Sequence, residues 1–309
     1  MNFYGEIMYL EHFSLDDPPF ALTPDIDFQV SLPGAQEAMN VLLVALAGGE
    51  GFIKITGEVG TGKTLLCRRL LAMLEDRFAT AYVPNPLLNP CQLHRTILEE
   101  FGFTLPRGTS MQSMLRGLNK YLITTFRNGR PAVLCIDEAQ TMPTESLEAV
   151  RLLSNLETGR SKLLQIVLFG QPELDSRLRR RELRQLRQRI TFSYQLPALR
   201  HEETTEYVQS RLRIAGSPDV TLFTPGALRL LHRASQGIPR LINIVCHKAL
   251  LAAYGRGSRK VDRRLLWAAV RDTEEARDHA LRSWRRLFAP GVFVLAVCTI
   301  FFLWPGVPP

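Results

Sequence analysis

The sequence predicts an α/β chain built on a parallel sheet, followed by an all-helical region and a terminal apolar segment. Three observations predict it. Five short β-type runs alternate with helix-period stretches as far as Pro197, the pattern of parallel strands covered by helices on both faces. Beyond Pro197 only helix-period segments follow, each edged by Gly, Pro or Asp. Finally, no charge occurs from Leu287 to the last residue.

The opening "MNFYGEIMYLEHFSLDDPPF" has neither a basic n-region nor an apolar h-region. It therefore predicts no signal peptide and a main body that stays in the cytoplasm. Residues 1–33 are expected to be a linker, and residues 34–197 the α/β domain. The first run, "GFIKIT", precedes "GEVGTGKT" and then the helix-period "TLLCRRLLAML". The next four runs are "ATAYVPN", "AVLCID", "LLQIVLFG" and "ITFSYQL". Four further stretches, beginning "HEETTEYV", "TPGALRLL", "IPRLINIV" and "DRRLLWAA", predict a helical domain over 198–276. A basic segment over 277–286, an apolar helix over 287–304 and a short tail over 305–309 complete the expected order.

Composition narrows the partners. The formal charge of +8 favours an anionic partner: nucleotide, nucleic acid or lipid surface. Five cysteines and six histidines show no metal-ligand spacing. The cysteines sit in mostly apolar surroundings and read as small, reduced core residues.

"GEVGTGKT", Gly57 to Thr64, has the form G-x-x-x-x-G-K-S/T, which arises by chance in roughly one such chain in a hundred. It follows a β-type run and opens a helix, as a phosphate cradle must. Gly57, Gly60 and Gly62 allow the curl. The backbone of Gly57, Glu58, Val59, Gly60, Thr61, Gly62, Lys63, Thr64 and Leu65 is then the candidate nucleotide site. Lys63 is expected to reach the β- and γ-phosphates, and Thr64 to offer its hydroxyl to magnesium. In "AVLCIDEAQ", Asp137 leaves a buried run at its carboxyl end, where open α/β sheets bind ligands. It supplies the second magnesium contact, and Glu138 is placed to activate water.

Three residues extend the site. Gln171 ends the run "LLQIVLFG" and is placed to contact a γ-phosphate. Seven arginines fall between Arg177 and Arg189. Most read as a solvated basic helix, but Arg189 directly precedes the next run and is expected to point into a neighbouring subunit's site. Arg240, next to Pro239 in "GIPRLIN", sits in the first turn of a helix as a candidate nucleotide contact.

"HFSLDDPPFALTPD", "GEVGTGKT", "CIDEAQ", "LFGQPEL", "LRQLRQRI" and "GIPRLIN" occur in order over about residues 8 to 275. Together they resemble the AAA+ ATPases, and within them the ExeA/GspA group of bacterial secretion ATPases, with the nearest likeness on its MSHA pilus biogenesis side. The resemblance implies a P-loop NTPase with a five-stranded parallel sheet, a helical lid, and assembly as a dimer or ring. It implies ATP and Mg2+ as ligands, and pilus or secretion assembly proteins of the inner membrane as partners. Gln171, Arg189 and Arg240 fall at its sensor 1, arginine-finger and sensor 2 positions. DNA-dependent AAA+ ATPases of the transposition type share "GQPEL" and the arginine-rich stretch, and stand as the alternative. That alternative would need a DNA-reading module, which the sequence does not display, so nucleic acid is the less expected partner.

The apolar run Leu287 to Trp304 would measure roughly 27 Å as a helix, against a hydrocarbon core of about 30 Å. Trp284 and Trp304 bracket it, and Arg282, Arg285 and Arg286 lie on one side only. By the positive-inside rule this predicts a single-pass inner-membrane helix with a cytoplasmic ATPase domain.

Overall fold

In the computed structural model, the described residues are 9–21, 32–158 and 161–280. They divide into an α/β unit, within Ser31–Ala198, and a helical unit formed by residues 9–21 together with 199–280.

The α/β unit holds a five-stranded, all-parallel sheet. Its strands are β1 (Phe52–Thr56), β2 (Ala79–Val83), β3 (Ala132–Ile136), β6 (Leu164–Gly170) and β7 (Phe192–Gln195), in the order β2-β3-β6-β1-β7. All five coincide with the predicted runs. A strand's side chains alternate between faces, and here both faces are covered. Leu134, Ile136, Ile166 and Leu168 pack on one side with helices α3 (Pro90–Glu100), α4 (Met111–Arg127) and α5 (Thr144–Leu153). Val133, Cys135, Val167 and Phe169 pack on the other with α1 (Pro33–Ala47) and α2 (Lys63–Leu74). This two-sided burial is why β3 reads as an unbroken apolar run rather than an alternating one. A hairpin of β4 (Glu157–Thr158) and β5 (Ser161–Lys162), not foreseen from the sequence, is antiparallel. Two short helices, α6 (Glu173–Leu178) and α7 (Arg184–Arg189), lie between β6 and β7.

Helix starts follow local chemistry. Asn89 and Gln92 form a reciprocal capping box on α3, with Pro90 at its first position. Ser110 caps α4.

In the helical unit, α8 (His201–Ile214), α9 (Pro225–Ser235), α10 (Pro239–Tyr254) and α11 (Arg263–Arg271) match the four predicted helices. Thr224 caps α9 and Asp262 caps α11. The expected 1–33 linker needs correction over its described part. Tyr9, Phe13, Leu15 and Phe20 are buried, and the buried Arg211 of α8 donates to the Pro19 carbonyl at 2.6 Å. Four large apolar side chains within twelve residues have enough surface to dock, so 9–21 is part of the helical unit. The cysteine expectation holds for Cys67, Cys135 and Cys246, whereas Cys91, on the first turn of α3, is exposed. Among the described residues no helix is long and apolar enough to cross a membrane. The run 287–304, with Cys298 inside it, lies outside them.

Candidate nucleotide site

A parallel sheet delivers the carboxyl ends of β1, β3 and β6 to one edge, and the candidate residues sit there. After β1 the loop curls through Gly62, whose φ of 97° lies in the left-handed region open to glycine, and α2 begins at Lys63. The Lys63 ammonium donates to the Gly57 and Glu58 carbonyls at 2.8 and 2.9 Å. It is buried inside its own loop, with one of its three donors left for a ligand. Burial pushes its pKa down, opposed by the charges of Glu138, Asp137, Glu58 and Glu173.

The next residue reaches across the sheet edge. Thr64 donates through Oγ1 to Asp137 Oδ2 at 2.6 Å, and Asp137 Oδ1 accepts the Glu138 backbone N–H at 2.9 Å. Asp137 is buried, which raises its carboxyl pKa; the Thr64 and Glu138 hydrogen bonds oppose the rise. A hydroxyl and a carboxylate side by side are hard oxygen donors, the set that suits Mg2+ bound jointly with phosphates. Among the described residues no group of three or more His, Cys, Asp or Glu side chains could hold a metal.

Glu138 adopts φ 49°, left-handed for a residue with a side chain, a conformation that costs about 1–3 kcal/mol and clusters at functional sites. Its Oε2 accepts from the amides of Gln140 and, at 3.1 Å, Gln171. The Gln171 backbone N–H donates to Gln140 Oε1 at 3.0 Å. Both amide donors land on one carboxylate oxygen, which orients the other. The structure thus joins Lys63, Thr64, Asp137, Glu138 and Gln171 at one edge.

Two further residues of this cluster were not picked out by the sequence reading. Gln140 follows Glu138 by two positions, and its clamp role depends on a partner thirty-one residues away. Arg177, counted with the solvated arginines, is half-buried and donates to the Gln140 and Met142 carbonyls. Arg189 also departs from expectation. Instead of projecting outwards it is half-buried and donates to Ser154 Oγ of its own unit, because α5 ends beside the last residue of α7; Arg184 and Arg187 are the exposed arginines of that helix. Arg240 is exposed on the first turn of α10, in the helical unit.

Known proteins resemble this chain in sequence and fold. Residues 46–178 match the family model described as an AAA domain. General secretion pathway protein A of Aeromonas hydrophila is 43% identical over 254 residues, which cover 82% of this chain and 46% of that protein. The chain therefore spans less than half the length of this curated relative. Among solved structures, Cdc6p from Pyrobaculum aerophilum is similar with a TM-score of 0.62 at 17% identity, covering 80% of this chain and 68% of that one. The Aeropyrum pernix ORC2 protein, solved as ADPNP-ADP complexes, has a TM-score of 0.56 at 19% identity, covering 78% and 67%. At such identities these two speak for the fold alone. The phosphate loop, the paired Thr64 and Asp137 and the family match lead to one conclusion: the unit is an α/β P-loop NTPase with a parallel five-stranded sheet, and its residues 46–178 resemble an AAA domain.

Proposed function

We propose that this protein is an ATPase that hydrolyses ATP to ADP and phosphate, and that this turnover drives assembly of a secretion complex. The Thr64–Asp137 hydrogen bond beside the Glu138 carboxylate carries the reading, because it brings the phosphate loop and the acidic strand end to one point. Loop amides and Lys63 would bind the β- and γ-phosphates. Thr64 and Asp137 would hold Mg2+, which when bound neutralises phosphate charge and templates the reacting oxygens. Glu138, fixed through one oxygen, would take the proton of the attacking water, and Gln171 would orient the γ-phosphate.

The likeness to General secretion pathway protein A supports a type II secretion setting, and the six ordered motifs support an MSHA-like type IV pilus as a related one. Assembly as a dimer or ring would let Arg189 leave Ser154 and complete a neighbouring site, where a trans arginine stabilises the charge of the transition state. The deciding experiment pairs two variants. Lys63→Ala should lose ATP binding, while Glu138→Gln should keep it and lose turnover; comparable hydrolysis by Glu138→Gln and the parent removes the assignment. Mixing Lys63→Ala with Arg189→Ala protein should restore part of the activity if the site is shared, and no recovery in co-assembled mixtures points away from sharing.

Membrane tethering by 287–304, with the ATPase domain on the cytoplasmic face, is part of this proposal on the strength of the apolar run and its one-sided arginines. Deleting 287–309 should shift the protein from the membrane pellet to the soluble fraction with basal turnover retained. Continued sedimentation after a high-salt wash would sink the anchor.

A further inference from the structure

The chain leaves β3 through Asp137 and Glu138 and enters a single 3-10 turn, Ala139–Thr141. Such turns have poor hydrogen-bond geometry, and this one follows a residue at φ 49°. A conformation of that cost persists only when its surroundings over-determine it. The turn's own bonds run from Thr141 N–H to the Glu138 carbonyl at 2.8 Å and from Met142 N–H to the Ala139 carbonyl at 3.3 Å. The carbonyls of Gln140 and Met142 are met instead by the two Nη groups of Arg177.

Arg177 is well placed to serve as an anchor. It lies on α6, which begins two residues after Gln171, and Asp175 of the same helix pairs with Lys54 of β1. One helix thus connects the β1 strand, the Gln171 strand end and the Glu138 turn. The planar guanidinium fork spans two carbonyls at once, which a lysine's point charge does not. Burial, with the Arg180 charge adding to it, lowers the Arg177 pKa, a cost the two carbonyl bonds offset. Gln140 lies close against Gly170. A Cβ added at Gly170 would stand 3.2 Å from its Oε1 and 2.8 Å from Leu174 Cδ2.

We infer that Arg177 is a positioning residue: it sets the turn that carries Gln140, and through the Gln140 amide it fixes the orientation of the Glu138 carboxylate. The inference rests on reading Glu138 as the group that activates water. Arg177 bonds the Gln140 and Met142 carbonyls and not the phosphate loop's residues, so its loss should spare nucleotide binding and slow the chemical step.

The test uses the full chain with Arg177→Ala, Arg177→Lys and Gln140→Ala, each alone, and Arg177→Ala combined with Gln140→Ala. Affinity for a fluorescent ATP analogue, single-turnover hydrolysis of labelled ATP with protein in excess, and the thermal midpoint are measured for each. Rates are expressed per nucleotide-binding site. Arg177→Ala should bind the analogue within about twofold of the parent and hydrolyse roughly tenfold or more slowly. Arg177→Lys, retaining one carbonyl bond, should recover part of the rate. The double variant should be no slower than Arg177→Ala by more than about twofold, since both changes break one linkage. A merely structural role would lower the midpoint and the number of binding sites while leaving the rate per site at the parent value, and that result overturns the inference. So does full additivity in the double variant. If Arg177→Ala does not fold, Arg177→Lys decides by the same rate per site. Glu138→Gln runs alongside: if it hydrolyses like the parent, the assignment of Glu138 has failed, whereas a dead Glu138→Gln with an unimpaired Arg177 variant refutes only the role of Arg177.

Discussion

The α/β unit and the helical unit both bury apolar cores, but they differ in where their long polar ties converge. In the α/β unit, charged and amide side chains at the strand ends are tied across long stretches of chain: Thr64 to Asp137 over 73 residues, Gln171 to Glu138 over 33, Arg177 to the Gln140 carbonyl over 37. In the helical unit the long polar ties join backbone and helix interiors, Arg211 to the Pro19 carbonyl over 192 residues and Tyr207 to Asn243 over 36. They lie around an apolar core that includes Leu212, Leu231, Ile242, Val245 and Leu266, and backbone meets backbone at Leu199 and Gly237. The difference teaches where a substitution should act. Polar changes in the first unit should alter chemistry with modest loss of stability, because strand burial carries the fold. Changes in the second should alter stability first.

The largest test of that contrast is Gly237→Ala. Gly237 has φ 73°, and an added Cβ would stand 2.0 Å from the Leu199 carbonyl oxygen, whose own N–H donates to the Gly237 carbonyl at 2.9 Å. Left-handed strain plus a backbone clash should cost about 2–4 kcal/mol. Amide exchange should then accelerate across α8 to α11 while β1, β3 and β6 keep their protection. Lys63→Ala is the mirror experiment, and should leave exchange in α8 to α11 unchanged while nucleotide binding is lost. Equal acceleration in both units for Gly237→Ala would break the comparison, since the two would then unfold as one.

A smaller effect sharpens it. Thr204 spends its proton on the Arg200 carbonyl at 2.9 Å, so His232 Nδ1, 3.0 Å away, is the donor in their hydrogen bond. Burial lowers the His232 pKa from 6.5, the charge of His201 adding to it and Glu202 opposing. The sign follows from linkage: the unfolded chain takes up this proton first, so stability falls as the pH drops through 6.5 towards the lower folded value. The helical unit should lose protection as the pH falls through 6.5, and His232→Gln should flatten that dependence. An unchanged slope would assign the acid sensitivity to other groups.

Sequence alone determined what local chemistry determines. Lys63 and its loop lie within eight consecutive residues, Gly57 to Thr64, and a glycine-rich turn between a buried strand and a helix has few conformations open to it. The central strands β3 and β6 were legible because two-sided burial demands unbroken apolar runs, and the four later helices because edge residues such as Pro225 and Asp262 mark their starts. Asp137 and Glu138 were legible because they end such a run.

Tertiary structure decided the rest. That Gln140 clamps Glu138, that Arg177 turns inward to the Gln140 and Met142 carbonyls, and that Arg189 folds onto Ser154 depend on which strand lies beside which. The sheet order β2-β3-β6-β1-β7 sets β3 against β6 and so brings Gln140 to Gln171, a neighbourhood that no spacing along the chain expresses. The docking of 9–21 on the helical unit is of the same kind. Its aromatic residues were visible in the sequence, but the groove that receives them exists only once α8 and α10 have packed. Local patterns encode the conformation of a segment, whereas side-chain partners are set by the burial of apolar faces, which is a property of the whole unit.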